Sequence, residues 1–123
     1  MKTVRLRFQQ VDQVALDFGV DTAAMRDQVI RRLNDAGIAI VTDPRAPELR
    51  IAVRVPKSIA PVDLGILSVD MALLVSDKAD THRRIWYSSG TTVRFTTYTS
   101  LRQLAPEQLA RGLDELTAAH RGT

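Results

Sequence analysis

Residues 31–55 read RRLNDAGIAIVTDPRAPELRIAVRV. An apolar helical stripe ends at Gly37, a short run follows to Val41, then Thr42-Asp43-Pro44, and an alternating run returns from Leu49 to Val55. Glycine, strand and aspartate in that order are also the outline of a phosphate or metal site. No Walker loop or G-x-G-x-x-G accompanies them, so the pattern is read as punctuation between a helix and two strands. Gly37 sits where a left-handed residue closes a helix, with Ile38 placed to touch Leu33. Asp43-Pro44 through Pro47 reads as a turn, because proline fixes φ and aspartate bonds its own backbone.

Upstream, Asp21 is placed to cap this helix, whose stripe is Met25, Val29, Leu33 and Ala36 with Ile30 beside it. Val4, Leu6 and Phe8 alternate with Arg5 and Arg7, as a half-buried strand does. Val14, Leu16 and Phe18 alternate again, predicting either one long irregular strand or two short pieces. Downstream of Leu49–Val55 come a loop, PKSIAPVDLG, and a strand carrying Leu67, Val69, Met71, Leu73 and Val75 on one side. SDKADTHR is read as a hairpin connection, and Ile85 to Tyr98 as the returning arm with a bulge at Ser88-Ser89-Gly90. Pro106 is read as the first residue of a closing helix, with Leu104 and Leu109 as its hydrophobic staple.

The order is β-α-β-β-β-β-α, an α+β fold in a single domain spanning residues 1–123. One-sided strands and one-sided helices imply a mostly antiparallel sheet of four to five strands with both helices on one face. The other face is then open to water or to a partner.

The bulk numbers exclude several classes. The chain is 45% apolar and 25% charged, which suits a folded domain with one core. It has no cysteine, which removes disulfides, thiolate catalysis and cysteine-zinc sites. No stretch approaches the ~20 apolar residues of a membrane span. Net charge is +3, and 14 of the 17 basic residues are arginine. Arginine suits bidentate pairing with carboxylate or phosphate.

The sequence shows no recognisable catalytic or metal-binding constellation. His82 and His120 are far apart in sequence and lack the spacing of a metal site. Ser88 or Ser89 with His82 and Asp80 has the residue types of a hydrolytic triad, but the G-x-S-x-G turn is missing. The expectation is no catalytic residue, no cofactor and no metal. The open face is the candidate interaction site: Arg5, Arg7, Arg50, Arg54 and Arg94, with Tyr98 and Trp86 among them.

The helix ending Leu33-Asn34-Asp35-Ala36-Gly37-Ile38, two strands, a long hairpin with Trp86 early in its second arm, and a terminal helix together resemble a known group. They are similar to the αβ domain of small outer-membrane-associated lipoproteins of bacteria, akin to the amino-terminal domain of TolB and the accessory lipoproteins of export machines. The resemblance implies docking in the periplasm or at the outer membrane, with no catalytic residues. Residues 1–8, MKTVRLRF, form no signal peptide, and a lipobox cysteine is absent; both are expected upstream of Met1 in a precursor. The function expected is a non-enzymatic protein-interaction module of the cell envelope, binding a partner or a second copy through a sheet edge. The alternative is a cytoplasmic nucleic-acid-binding domain using the arginine face. A third reading is a small-ligand pocket beneath KSIAPVDLG.

Overall fold

The structure is a computed structural model that describes residues 2–56, 65–76, 82–88 and 91–121. Strand β1 (Thr3–Val11) leads to a short helix α1 (Gln13–Asp17) and then to α2 (Thr22–Asp35). Strands β2 (Ala39–Ile40), β3 (Glu48–Arg54), β4 (Gly65–Ser76), β5 (His82–Tyr87) and β6 (Thr92–Phe95) follow. A 3-10 turn at Tyr98–Ser100 opens onto α3 (Leu101–Arg121). Most of the PKSIAPVDLG loop, the tip of the β4–β5 hairpin and Ser89-Gly90 lie outside the described residues, and with them the pocket reading.

Both ends of α2 form as the sequence requires. The Asp21 carboxylate accepts a hydrogen bond from the Ala24 N–H at 3.1 Å. At the other end Gly37 has φ +81°, Ile38 N–H donates to the Leu33 carbonyl (2.8 Å) and Gly37 N–H to that of Asn34 (3.0 Å). Those two bonds make a Schellman close, and it seats Ile38 fully in the core. Asp43 holds the turn that follows β2. Its carboxylate accepts from the Arg45 backbone N–H (2.9 Å) and from the Arg45 guanidinium, so it is spent on its own turn.

The sheet has six strands in the order β2-β1-β3-β4-β5, with β6 also pairing β4. It is mostly antiparallel, as expected, but mixed: three of its five strand pairings are antiparallel and two are parallel. β1 runs parallel to both β2 and β3, while β3–β4, β4–β5 and β4–β6 are antiparallel. To place β3 beside β1, the chain crosses from one flank of β1 to the other. Val41 N–H donates to the Val4 carbonyl on the first flank (2.8 Å), and the Pro47 carbonyl accepts from Arg5 N–H on the second (2.7 Å).

All three helices lie on one face, in one core. Val4, Leu49, Ile51, Val53, Leu67, Val69 and Met71 point from the sheet toward Val29 and Leu33 of α2 and Leu101, Ala105, Leu109, Leu113 and Leu116 of α3. Two expected elements differ from this structure. The stretch expected as a strand around Val14, Leu16 and Phe18 holds the helix Gln13–Asp17, capped by Phe18: Asp12 precedes it with extended φ/ψ, and its one turn buries Ala15. The closing helix starts at Leu101, five residues before Pro106, because Leu101 and Ala105 continue the buried stripe of Leu109 and Leu113. Proline near a helix start sacrifices one backbone bond, and Gln28 Nε2 ties the Pro106 carbonyl to α2 at 3.0 Å. The returning arm breaks between Tyr87 and Thr92: Ala72 pairs with Tyr87 but Ser68 with Thr92, a shift of one residue. There the Ser88 hydroxyl accepts from the Met71 N–H (3.0 Å), standing in for a ladder carbonyl.

Candidate functional site

Alternation along each strand sets the reverse face of the sheet. Because Leu49, Ile51 and Val53 are buried against the helices, Glu48, Arg50, Ala52 and Arg54 point the other way. Arg5 and Arg7 join them through their pairing with Glu48 and Arg50, Ser68 and Asp70 through Arg54 and Ala52, and Arg94 through Ile66. Five of the candidate residues therefore share one face as expected. Two do not. Trp86 pairs with Leu73 and packs against the core, and Tyr98 leaves the sheet with the 3-10 turn to stack on Phe18 (centroids 4.9 Å) and meet the edge of Phe95. The aromatic on the arginine side is Tyr87, opposite Ala72 and 60% exposed.

The charges on this face are organised around Glu48, which is only 5% exposed. Its carboxylate is hydrogen-bonded by Arg50 Nε and faced by Arg5 at 3.6 Å. Arg5 also donates to the Ala46 carbonyl (3.0 Å), which ties the crossing between β2 and β3 to the arginine side. Burial pushes the Glu48 carboxyl up, but the Arg50 hydrogen bond and the fields of Arg50, Arg5 and Arg7 outweigh it, holding the group below its ordinary 4.5. A carboxylate depressed on folding adds stability above its unfolded value. That contribution is lost as the pH falls from about 4.5 through the folded value.

Asp70 is the second carboxylate. It accepts from Ser68 Oγ (2.7 Å) and pairs with Arg54 at 3.6 Å, a diagonal neighbour across β3–β4. Both members are about half exposed, so the pair is worth little in stability. Between these two clusters, Ala52 and Ala72 form a low floor. Arg50, Arg54, Asp70 and Tyr87 stand around it, enclosing a shallow concavity of about 400 Å³. Five guanidinium groups against two carboxylates leave the face net positive. Arg7, Arg54 and Arg94 are its exposed members.

Glu48 and Tyr87 are the residues that sequence reading missed. Glu48 follows Pro47 and looks like the end of a turn, yet it lies two and six residues from Arg50 and Arg54, on their side of the strand. Among the described residues, no group of three His, Asp or Glu side chains is placed to hold a metal ion. No described helix is long and apolar enough to cross a membrane.

No family model and no curated protein sequence matches this chain. Solved structures do. A minor lipoprotein from Acinetobacter baumannii is 16% identical, with 96% of this chain and 87% of that one covered and a TM-score of 0.45. The rare lipoprotein B from Shewanella oneidensis is 16% identical over 98% of this chain and 94% of its own, with a TM-score of 0.44. Both of these structural neighbours are bacterial lipoproteins by description.

Proposed function

We propose that this chain is a non-enzymatic docking module of the bacterial envelope that receives an acidic protein surface on its arginine face. The observation that carries the reading is the geometry around Ala52 and Ala72: a shallow dish lined by Arg50, Arg54 and Asp70, with exposed Arg7 on the same face, too open to enclose a small substrate. Guanidinium groups in fixed positions suit planar carboxylates. Placement in the envelope rests on the motif resemblance of the helix ending Leu33–Ile38 and the long hairpin. One observation favours the nucleic-acid alternative, namely exposed Tyr87 beside Arg50 and Arg54, since a ring among arginines can stack a base.

Fluorescence anisotropy at low salt separates the two. Labelled polyglutamate is expected to bind, and the double variant Arg7→Glu/Arg54→Glu to weaken it about tenfold or more while melting normally. A single-stranded 20-mer is expected to bind more weakly than polyglutamate. If polyglutamate does not bind at low salt, the acidic-surface reading is wrong. If the oligonucleotide binds tighter and Tyr87→Ala weakens it, the alternative takes its place. Fractionation of cells carrying the native gene tests the compartment, with an exclusively cytoplasmic pool counting against it.

A further inference from the structure

The ladder of β1 is complete on one flank only. Backbone groups along a strand alternate sides: the Lys2 and Val4 carbonyls serve β2, accepting from Ala39 (2.9 Å) and Val41 (2.8 Å), while Arg5 N–H serves the β3 side. Leu6 and Phe8 must therefore direct their N–H and C=O groups to the β2 flank. β2 reaches only Thr3 and Val4, and the chain leaves that flank at Val41-Thr42. Beyond Val4, no described strand pairs with this flank. A groove of about 710 Å³ runs along it, walled by Arg26, Ile30 and Asn34 of α2 on one side and by Arg5, Arg7 and the almost wholly covered Glu48 on the other, three guanidinium groups against one carboxylate.

We propose that this free flank of β1 accepts an extended segment of a partner protein as an added strand in line with β2, alternating apolar and acidic side chains. The inference deepens the docking reading and rests on it. An added strand presents its side chains alternately to the two faces of the sheet. Those on the helix side meet the half-buried Leu6, Phe8 and Ile30, which suits an apolar residue. Those on the reverse side meet Arg5 and exposed Arg7, which suits Asp or Glu, and Arg26 adds positive charge at the α2 rim. Backbone pairing supplies affinity and the alternating side chains supply selectivity.

A second copy of this chain is a poor occupant. Antiparallel self-pairing about Leu6 places Arg5 opposite Arg7, and pairing about Arg7 places that residue opposite itself; like charges directly across a ladder destabilise it. Pairing about Phe8 removes that clash but sets Arg5 opposite Val11 and Arg7 opposite Gln9, so the second copy brings them no carboxylate. The occupant with complementary charge is acidic.

The test uses the full chain and an acetylated, amidated peptide, Val-Glu repeated four times. Amide exchange by NMR is expected to slow at Leu6 and Phe8 by at least about tenfold on saturation, since those N–H groups gain partners. A peptide of equal charge with proline at its fifth position should bind more weakly and protect them less, because proline leaves a β1 carbonyl without a donor and interrupts the added strand. Arg26→Glu, at an exposed position outside the sheet, should weaken the repeat peptide several-fold and leave polyglutamate binding to the arginine face unchanged. Failure to bind at low salt, or binding that shifts Arg54 and Ala72 without protecting Leu6 and Phe8, overturns the added strand. The polyglutamate result then decides the arginine-face reading by itself.

Discussion

An Arg50→Glu chain should be destabilised by about 3 kcal/mol or more, seen as a fall of about 10 °C or more in Tm. Arg50 is hydrogen-bonded to Glu48, a carboxylate that is almost wholly covered, with Arg5 as its other cation. Reversing the charge removes the hydrogen bond and sets a second anion against a buried one. Breaking a buried pair from one side costs far more than the pair contributes, because the remaining charge stays desolvated. On a total stability of about 5–15 kcal/mol, that loss is large. Arg54→Glu, two pleats away, is the control. Its pair with Asp70 is half in water, so the expected change is within about 0.5 kcal/mol. Equal, small losses in both variants would show that Glu48 is not held as described.

Gly112→Val should cost about 3 kcal/mol in urea unfolding. Gly112 is buried where α3 crosses β4, and a Cβ at that position would overlap Met71 Sδ and lie 3.4 Å from Thr91 Cγ2. Met71 is 2% exposed and Thr91 3%, so neither has open space to move into. Inserting two further methyl groups must shift the helix off the strand or drive Met71 into its neighbours, and overpacking of this kind costs about 1–3 kcal/mol, sometimes more. Ala118→Val on the exposed side of the same helix should change stability by only a few tenths. A neutral Gly112→Val would mean that α3 stands further from β4 than the structure has it.

How far the fold was legible follows from where its determinants sit in the chain. α2 could be bounded to within a residue because its signals are local: Asp21 caps it and Gly37 closes it. The faces of β3 and β4 could be read because alternation is also local. The parallel pairing of β1 with β3 was not legible, since Arg5 and Glu48 meet through contacts far apart in sequence, and a one-sided strand looks the same in either direction. Val14, Leu16 and Phe18 span too few residues to separate a period of 2 from 3.6, and burial of Ala15 decided it. Trp86 and Arg94 fall on opposite faces because the returning arm shifts by one residue between Tyr87 and Thr92. One shifted residue reverses every later side chain, and the strand ends at Phe95, before Tyr98. The five arginines of the candidate face thus share one side of the sheet, while Trp86 and Tyr98 lie elsewhere.

The same alternation permits a direct test of which side of the sheet is covered. The chain has no cysteine, so single cysteines report without background. Val53 is 0% exposed on the helix side, and Arg54, the next residue, is exposed on the reverse. Thiol labelling with a maleimide should modify Arg54→Cys at nearly the rate of an unstructured peptide. Val53→Cys should react at least about a hundredfold more slowly, because it is reached only by unfolding. Similar rates at both positions, whether fast or slow, would contradict a sheet with its helices on one side and its arginines open on the other.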